Sequence, residues 1–270
     1  MKIFLCALSL LPLLTSCSQQ EEMQPEIPPT KQEQQEMVEQ EETIEEQGFE
    51  QLDFSEYFTD IDGVAVFYSP HHGEYSTSEE KANTPFSPYS TFKIMSTLIG
   101  LDEGVVTSAE SKMSYNGTSY WNENWNDDLT LRESFETSCV WYYHQMLYQL
   151  TPSVVENHLK SLPYGNFDLS QWEGNGGNSI TELNGFWLNS SLKITPKEQV
   201  YLLELLFEKE TRYQENHVFA KTGAGNHQSW YVGFFESEGE TIYFAVFVES
   251  DEKLTQTAKD VALLILNDWE

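Results

Sequence analysis

Apolar residues in this chain follow two alternating spacings beyond about Phe54. Residues 63–69 read Gly-Val-Ala-Val-Phe-Tyr-Ser, a β-branched and aromatic run that predicts a strand. Over residues 90–103 the spacing lengthens. Phe92, Ile94, Met95, Leu98, Ile99 and Leu101 predict a helix that is apolar over most of its surface, hence buried and central, and ended by Gly104. Residues 131–150 and 152–162 predict two more helices. Residues 196–210 predict another, with proline near its start. Residues 218–221, 230–236 and 241–249 read as strands, the last two joined through a turn at Gly239. Residues 257–267 close the chain as an amphipathic helix. One early strand, a mostly helical middle and three late strands predict an α+β fold. Its antiparallel sheet is completed by the N-terminal segment and flanked by helices, with an adjoining helical region.

The stretch before Phe54 has a different character. Residues 1–16 read as an export leader: Met1-Lys2 is positive, and the apolar run that follows is too short to span a bilayer. It ends Leu14-Thr15-Ser16-Cys17, which resembles a bacterial lipoprotein signal with Cys17 as the lipidated residue. A plain secretory leader is the alternative. Either way the expected location is outside the cytoplasm, with a lipid anchor as the only membrane link. Between Glu21 and Glu50 there are eleven Glu and one Lys. Residues 17–50 are too poor in aromatic and β-branched side chains to offset their ordering entropy, so they are expected to be a disordered tether. Residues 54–270 are the expected folded domain.

The chain carries a formal net charge of −30. That excludes nucleic acid as a partner, since such binding relies on lysine and arginine. It also excludes electrostatic docking on anionic lipid. With Cys6 in the leader and Cys17 lipidated, Cys139 is the single free thiol, so no intramolecular disulfide is expected. The six histidines, at 71, 72, 144, 158, 217 and 227, lack the spacing of a zinc hydrolase, and no metal is expected. The sequence sets no oligomeric state.

Candidate chemistry lies in Ser-x-x-Lys, which occurs at Ser78, Ser90, Ser190 and Ser250, and in Lys221-Thr222-Gly223, which occurs once. Ser78, Ser190 and Ser250 sit in polar, solvated contexts. Only Ser90 opens an apolar helix, where Ser90 and Lys93 share a face one turn apart. Amides at a helix start favour developing negative charge. A serine becomes a nucleophile when a base takes its proton.

Between the two motifs lie Trp125-Asn126, Ser138-Cys139-Val140 with Trp141, Tyr164-Gly165-Asn166 and Phe186-Trp187-Leu188. Trp230-Tyr231-Val232-Gly233 follows them. Singly, each reads as structure. In this order, from about Phe54 to the C-terminus, they closely resemble the class D serine β-lactamases, of the β-lactamase and penicillin-binding transpeptidase superfamily.

That resemblance implies an acyl-enzyme on Ser90 and, as the only added group, carbon dioxide held as a carbamate on Lys93. Only a neutral amine reacts with carbon dioxide, so burial must depress the lysine pKa. Phe92, Val140, Trp187 and Leu188 would form the carbamate pocket, with the Trp187 indole N–H on the carbamate. The backbone amides of Ser90 and Ala224 would make the oxyanion hole. Ser138 and Lys221 would pass protons. Thr222, Gly223, Ala224, Tyr164, Asn166 and Trp230 would contact substrate.

The chain departs from the family in one respect. Many members carry an arginine after the last strand for the substrate carboxylate. Here residues 249–260 contain none, leaving Thr222, Lys221 and Ser229, with Thr257 near the vacant position. Penicillin-sensing receptor domains share the fold, and some lack that arginine, but they resemble Ser-x-Asn where this chain has Val140. The rival readings are thus a penicillin-binding protein or DD-carboxypeptidase, and a β-lactam sensor that acylates without efficient turnover. A class A enzyme would show Ser-Asp-Asn at the second motif.

Overall fold

The computed structural model describes residues 49, 52–207, 218–225, 227–252, 254 and 256–269, all within one compact unit. The expected leader, Cys17 and the tether up to residue 48 lie outside the described residues, as does His217. The folded unit starts earlier than the expected residue 54. Phe49 is buried against His72 and Trp269, with ring centroids 5.5 and 6.0 Å away.

Strand β1 (Asp62–Ser69) is followed by a short strand β2 (Gly73–Ser76) and a one-turn helix α1 (Glu79–Ala82). Helix α2 (Phe92–Asp102) follows a 3-10 turn, Tyr89–Thr91. Two-residue strands β3 (Lys112–Met113) and β4 (Leu129–Thr130) precede α3 (Leu131–Glu136), α4 (Val140–Leu147), α5 (Pro152–Ser161) and α6 (Pro196–Phe207). Strands β5 (Phe219–Ala224), β6 (Gln228–Ser237) and β7 (Glu240–Glu249) then lead to α7 (Ala258–Asn267).

The main sheet runs β2-β1-β7-β6-β5, every pair antiparallel. The predicted α+β architecture is present, with β1 completing the sheet beside β7. Gly239, at φ 83°, makes the β6–β7 turn, a conformation glycine adopts without penalty. Alternation along β6 and β7 builds two cores. Ala65, Phe67, Tyr231, Phe244 and Val246 pack under α7 on one face. Val64, Val66, Trp230, Val232 and Phe247 pack under α6 on the other. A third core in the helical region gathers Phe92, Met95, Ile99, Trp141, Tyr143, Phe186 and Trp187 around α2. α2 is thus the central helix the pattern predicts, although Leu101 at its end is exposed. No helix among the described residues is long and apolar enough to cross a membrane.

The predicted single helix over 131–150 is two helices. The chain breaks at Thr137–Cys139, where Ser138 takes φ 54°. The capping box of Thr130 and Glu133 starts α3, and Cys139 N–H, bonded to Ser134 carbonyl at 2.8 Å, ends it.

Candidate active site

Ser90 sits in the 3-10 turn just ahead of α2, two residues before the helix begins at Phe92 rather than opening it as predicted, but still one turn from Lys93. Lys93 Nζ donates to Ser90 Oγ at 2.9 Å. The lysine is fully buried, and Tyr143 presents its ring face to the amine at 5.2 Å. Burial first, and the nearby positive Lys221 second, pull the Lys93 pKa down from 10.5 to about 7. The amine is therefore partly neutral near pH 7.

Ser138 belongs to the same cluster through the break between α3 and α4. Lys221 Nζ donates to Ser138 Oγ and, at 3.1 Å, to the Thr222 carbonyl. Burial lowers the Lys221 pKa to about 8. A left-handed φ at a serine costs on the order of 1 kcal/mol. Two tryptophans hold the break: Trp125 Nε1 donates to Thr137 carbonyl at 3.0 Å, and Trp141 Nε1 donates to Trp125 carbonyl at 2.8 Å. The Trp125-Asn126 motif thus sets the position of Ser138.

The edge strand β5 lies against the Tyr89–Thr91 turn. A Cβ on Gly223 would stand 2.9 Å from Pro88 carbonyl and 3.2 Å from Thr91 N, so only glycine permits the approach. Thr222 and Ala224 are exposed on the same strand. The turn is fixed from below as well. Tyr89, at φ 49°, donates its N–H to Trp187 carbonyl at 3.0 Å, and Trp230 Nε1 donates to Ser87 carbonyl at 2.9 Å.

Phe92 stands edge-on to Tyr164 and Phe186, with centroids 5.4 and 5.3 Å away, and lies beside Trp187 at 5.8 Å. The Trp187 indole N–H is buried without a hydrogen-bond partner among the described residues. Such a group costs about 1–3 kcal/mol. Val140 and Leu188 line a cleft of about 1250 Å³ together with Tyr89, Trp121 and Ala224.

Two expected substrate contacts are corrected. Trp230 and Tyr164 are fully buried and present no surface to a ligand. Asn166 is a loop clasp: its Oδ1 accepts from Lys193 N at 3.0 Å, and its Nδ2 donates to Ser191 carbonyl at 3.0 Å. Ser229 is buried and accepts from Ala258 N–H at 3.1 Å, while Thr257 caps α7, so neither replaces the missing arginine. Ser190, expected in a solvated turn, is buried on Gln171.

Sequence reasoning passed over Trp121, a large apolar side chain 80% exposed at the cleft. Its signal was the Tyr-Trp pair ahead of Trp125. It also passed over Lys193, whose amine donates to Ser87 Oγ at 2.7 Å beside the Tyr89–Thr91 turn.

A model of the penicillin-binding protein transpeptidase domain matches residues 46–219, and the chain belongs to that family. It is 28% identical over 241 residues to the regulatory protein BlaR1 of Bacillus licheniformis, covering 80% of this chain and 38% of that protein. It is 26% identical over 241 residues to β-lactamase OXA-20 of Pseudomonas aeruginosa, covering 81% of this chain and 87% of that one. Among solved structures, BPu1 β-lactamase aligns with a TM-score of 0.69 at 29% identity, over 81% of this chain and 96% of that one. The C-terminal domain of the Bacillus licheniformis BlaR penicillin receptor gives 0.67 at 27% identity, over 80% and 94%. The chain spans 38–39% of the length of the BlaR1 and MecR1 proteins it matches.

Proposed function

We propose that this chain is a serine β-lactamase of the class D type, hydrolysing β-lactam antibiotics through an acyl-enzyme on Ser90. The carrying observation is the buried, partly neutral Lys93 in hydrogen-bond contact with Ser90.

The neutral Lys93 amine takes the Ser90 proton as Oγ bonds to the lactam carbonyl carbon. The amides of Ser90 and Ala224 face the oxygen that gains charge. The ring C–N bond breaks, Ser138 gives its proton to the departing nitrogen, and Lys221 resupplies Ser138. Thr222 and Lys221 hold the substrate carboxylate in the absence of an arginine. The proton held by Lys93 then passes to Lys221, leaving Lys93 free as a base. Water from the cleft bonds to the acyl carbon as Lys93 takes one of its protons, the bond from that carbon to Ser90 Oγ breaks, and Ser90 takes the proton from Lys93.

Carbon dioxide fits this site as the added group. Lys93 supplies a neutral amine, Trp187 an unpaired N–H, and Phe92, Val140 and Leu188 an apolar wall. Bound to Lys93, it would supply an anionic base.

The likeness to BlaR1, together with the missing arginine, favours a second reading: a β-lactam sensor that stops at the acyl-enzyme. A chromogenic β-lactam in large molar excess, with bicarbonate present, separates the two. Sustained turnover that is lost in Ser90→Ala is the expected result. A burst of one equivalent with a stable adduct by mass would replace the enzyme with a sensor or penicillin-binding protein. The export leader and the lipid on Cys17 complete the proposal, and the mass of the mature membrane-extracted chain tests them.

A further inference from the structure

α2 begins beside Ser90, and its other end finishes in Asp102 and the cap residue Glu103. Carboxylates there lie at the negative end of the helix dipole, and the last turn of α2 contains no basic residue. That arrangement is unfavourable unless a cation sits against it. The last turn of α5 brings His158 to the same place.

His158 Nε2 lies 2.7 Å from Glu103 Oε1 and 3.7 Å from Asp102 Oδ2. The three donor atoms all fall within 4.8 Å of one another, and among the described residues no other set of three His, Cys, Asp or Glu side chains gathers in this way. Ligands on one tetrahedral zinc, bound at about 2.0–2.1 Å, stand about 3.3 Å apart. The two distances to His158 bracket that value, and the carboxylate oxygens stand within 4.8 Å of each other, so side-chain adjustments bring all three onto one ion.

We propose that Asp102, Glu103 and His158 form a zinc-type divalent metal site that clamps the end of α2 to α5. One imidazole with two carboxylates selects a borderline ion over calcium or magnesium, which take all-oxygen shells. Asp102 and Glu103 are open to solvent, so water completes the coordination. Helix rise puts about 14 Å between Asp102 and Lys93. The ion therefore acts on stability and takes no part in the reaction. The inference does not depend on the β-lactamase reading.

The test is calorimetric titration of zinc chloride into the full chain, freed of metal with a chelator, alongside thermal melts. The expected result is one site of micromolar affinity, a raised melting temperature and unchanged turnover of a chromogenic β-lactam. His158→Gln and Asp102→Asn should each weaken binding at least about tenfold, since even an outer partner of a ligand is worth that much. Both should also abolish the melting shift. Asp102 is exposed and His158 half-buried, and circular dichroism of the variants confirms that they fold. Cobalt in place of zinc should give visible absorption that His158→Gln removes. Three results would overturn the site: no binding at millimolar zinc, affinity unchanged in His158→Gln, or binding lost only when His71 and His72 are replaced. Each would leave His158 as an ion-pair partner of the two carboxylates.

Discussion

Lys93 is fully buried, its amine lies 2.9 Å from Ser90 Oγ, and among the described residues no carboxylate pairs with it. The positive charge of Lys221 repels it. An amine so placed holds its proton weakly.

The first prediction concerns pH and carbon dioxide. Below about 7 Lys93 is an ammonium and cannot take up carbon dioxide; above it the free amine dominates. Protein stripped of carbon dioxide should therefore regain turnover on its return. The rate of recovery at fixed dissolved gas should rise with pH through about 7. Stopped-flow assays with a chromogenic substrate measure this. A recovery rate that is flat across neutral pH would remove Lys93 as the acceptor.

Lys93 should also cost stability. The unfolded side chain keeps its proton to about 10.5 and the folded one only to about 7. Between those values the unfolded chain binds more protons, so stability rises with pH there and the full cost applies below about 7. Lys93→Met should be inactive yet more stable by about 1–3 kcal/mol at neutral pH. The difference should shrink as pH rises toward 10, as read by urea melts at neutral and alkaline pH.

Trp187→Phe separates packing from hydrogen bonding. Among the described residues the indole N–H has no partner, so its removal breaks none of their bonds. In the absence of carbon dioxide the variant should melt within a few degrees of the parent. Its half-saturating bicarbonate concentration should rise at least about tenfold, by analogy with lost partners of metal ligands. Equal bicarbonate dependence in both proteins would show that the N–H has no role in holding the group.

Gly223→Ala places a methyl group against Pro88 carbonyl and Thr91 N. β5 must then move away from the Tyr89–Thr91 turn, separating Lys221 from Ser138. Acylation should slow by about a hundredfold, the scale of an ångström of misplacement. Burst kinetics read this directly, and an unchanged burst rate would show that the strand has slack.

Lys193 secures the turn from the other side. Its amine holds Ser87, and its backbone is clasped by Asn166. Lys193→Met should lower kcat with little change in KM, while Lys193→Arg should restore much of it. A loss confined to thermal stability would make Lys193 a packing residue only.

Local order was legible in the sequence because its causes are local. A three-residue spacing puts Ser90 and Lys93 one turn apart whether that turn is 3-10 or α, and alternation predicts β1, β6 and β7. Gly239 marks their hairpin because its φ requires glycine. Ordered motifs in the sequence also pointed to the family before any geometry was known. Only the tertiary structure decided which faces meet. Ser138 and Lys221 are 83 positions apart, and they touch because the chain breaks at Ser138 in a left-handed conformation that helix periodicity does not encode. Trp230 and Tyr164 carry polar tips that suit a ligand equally well in sequence, yet packing of the sheet and of Phe92 encloses both. Propensity and periodicity act over a few residues. Burial, which lowers the Lys93 pKa and leaves the Trp187 N–H unpaired, is a property of the assembled core.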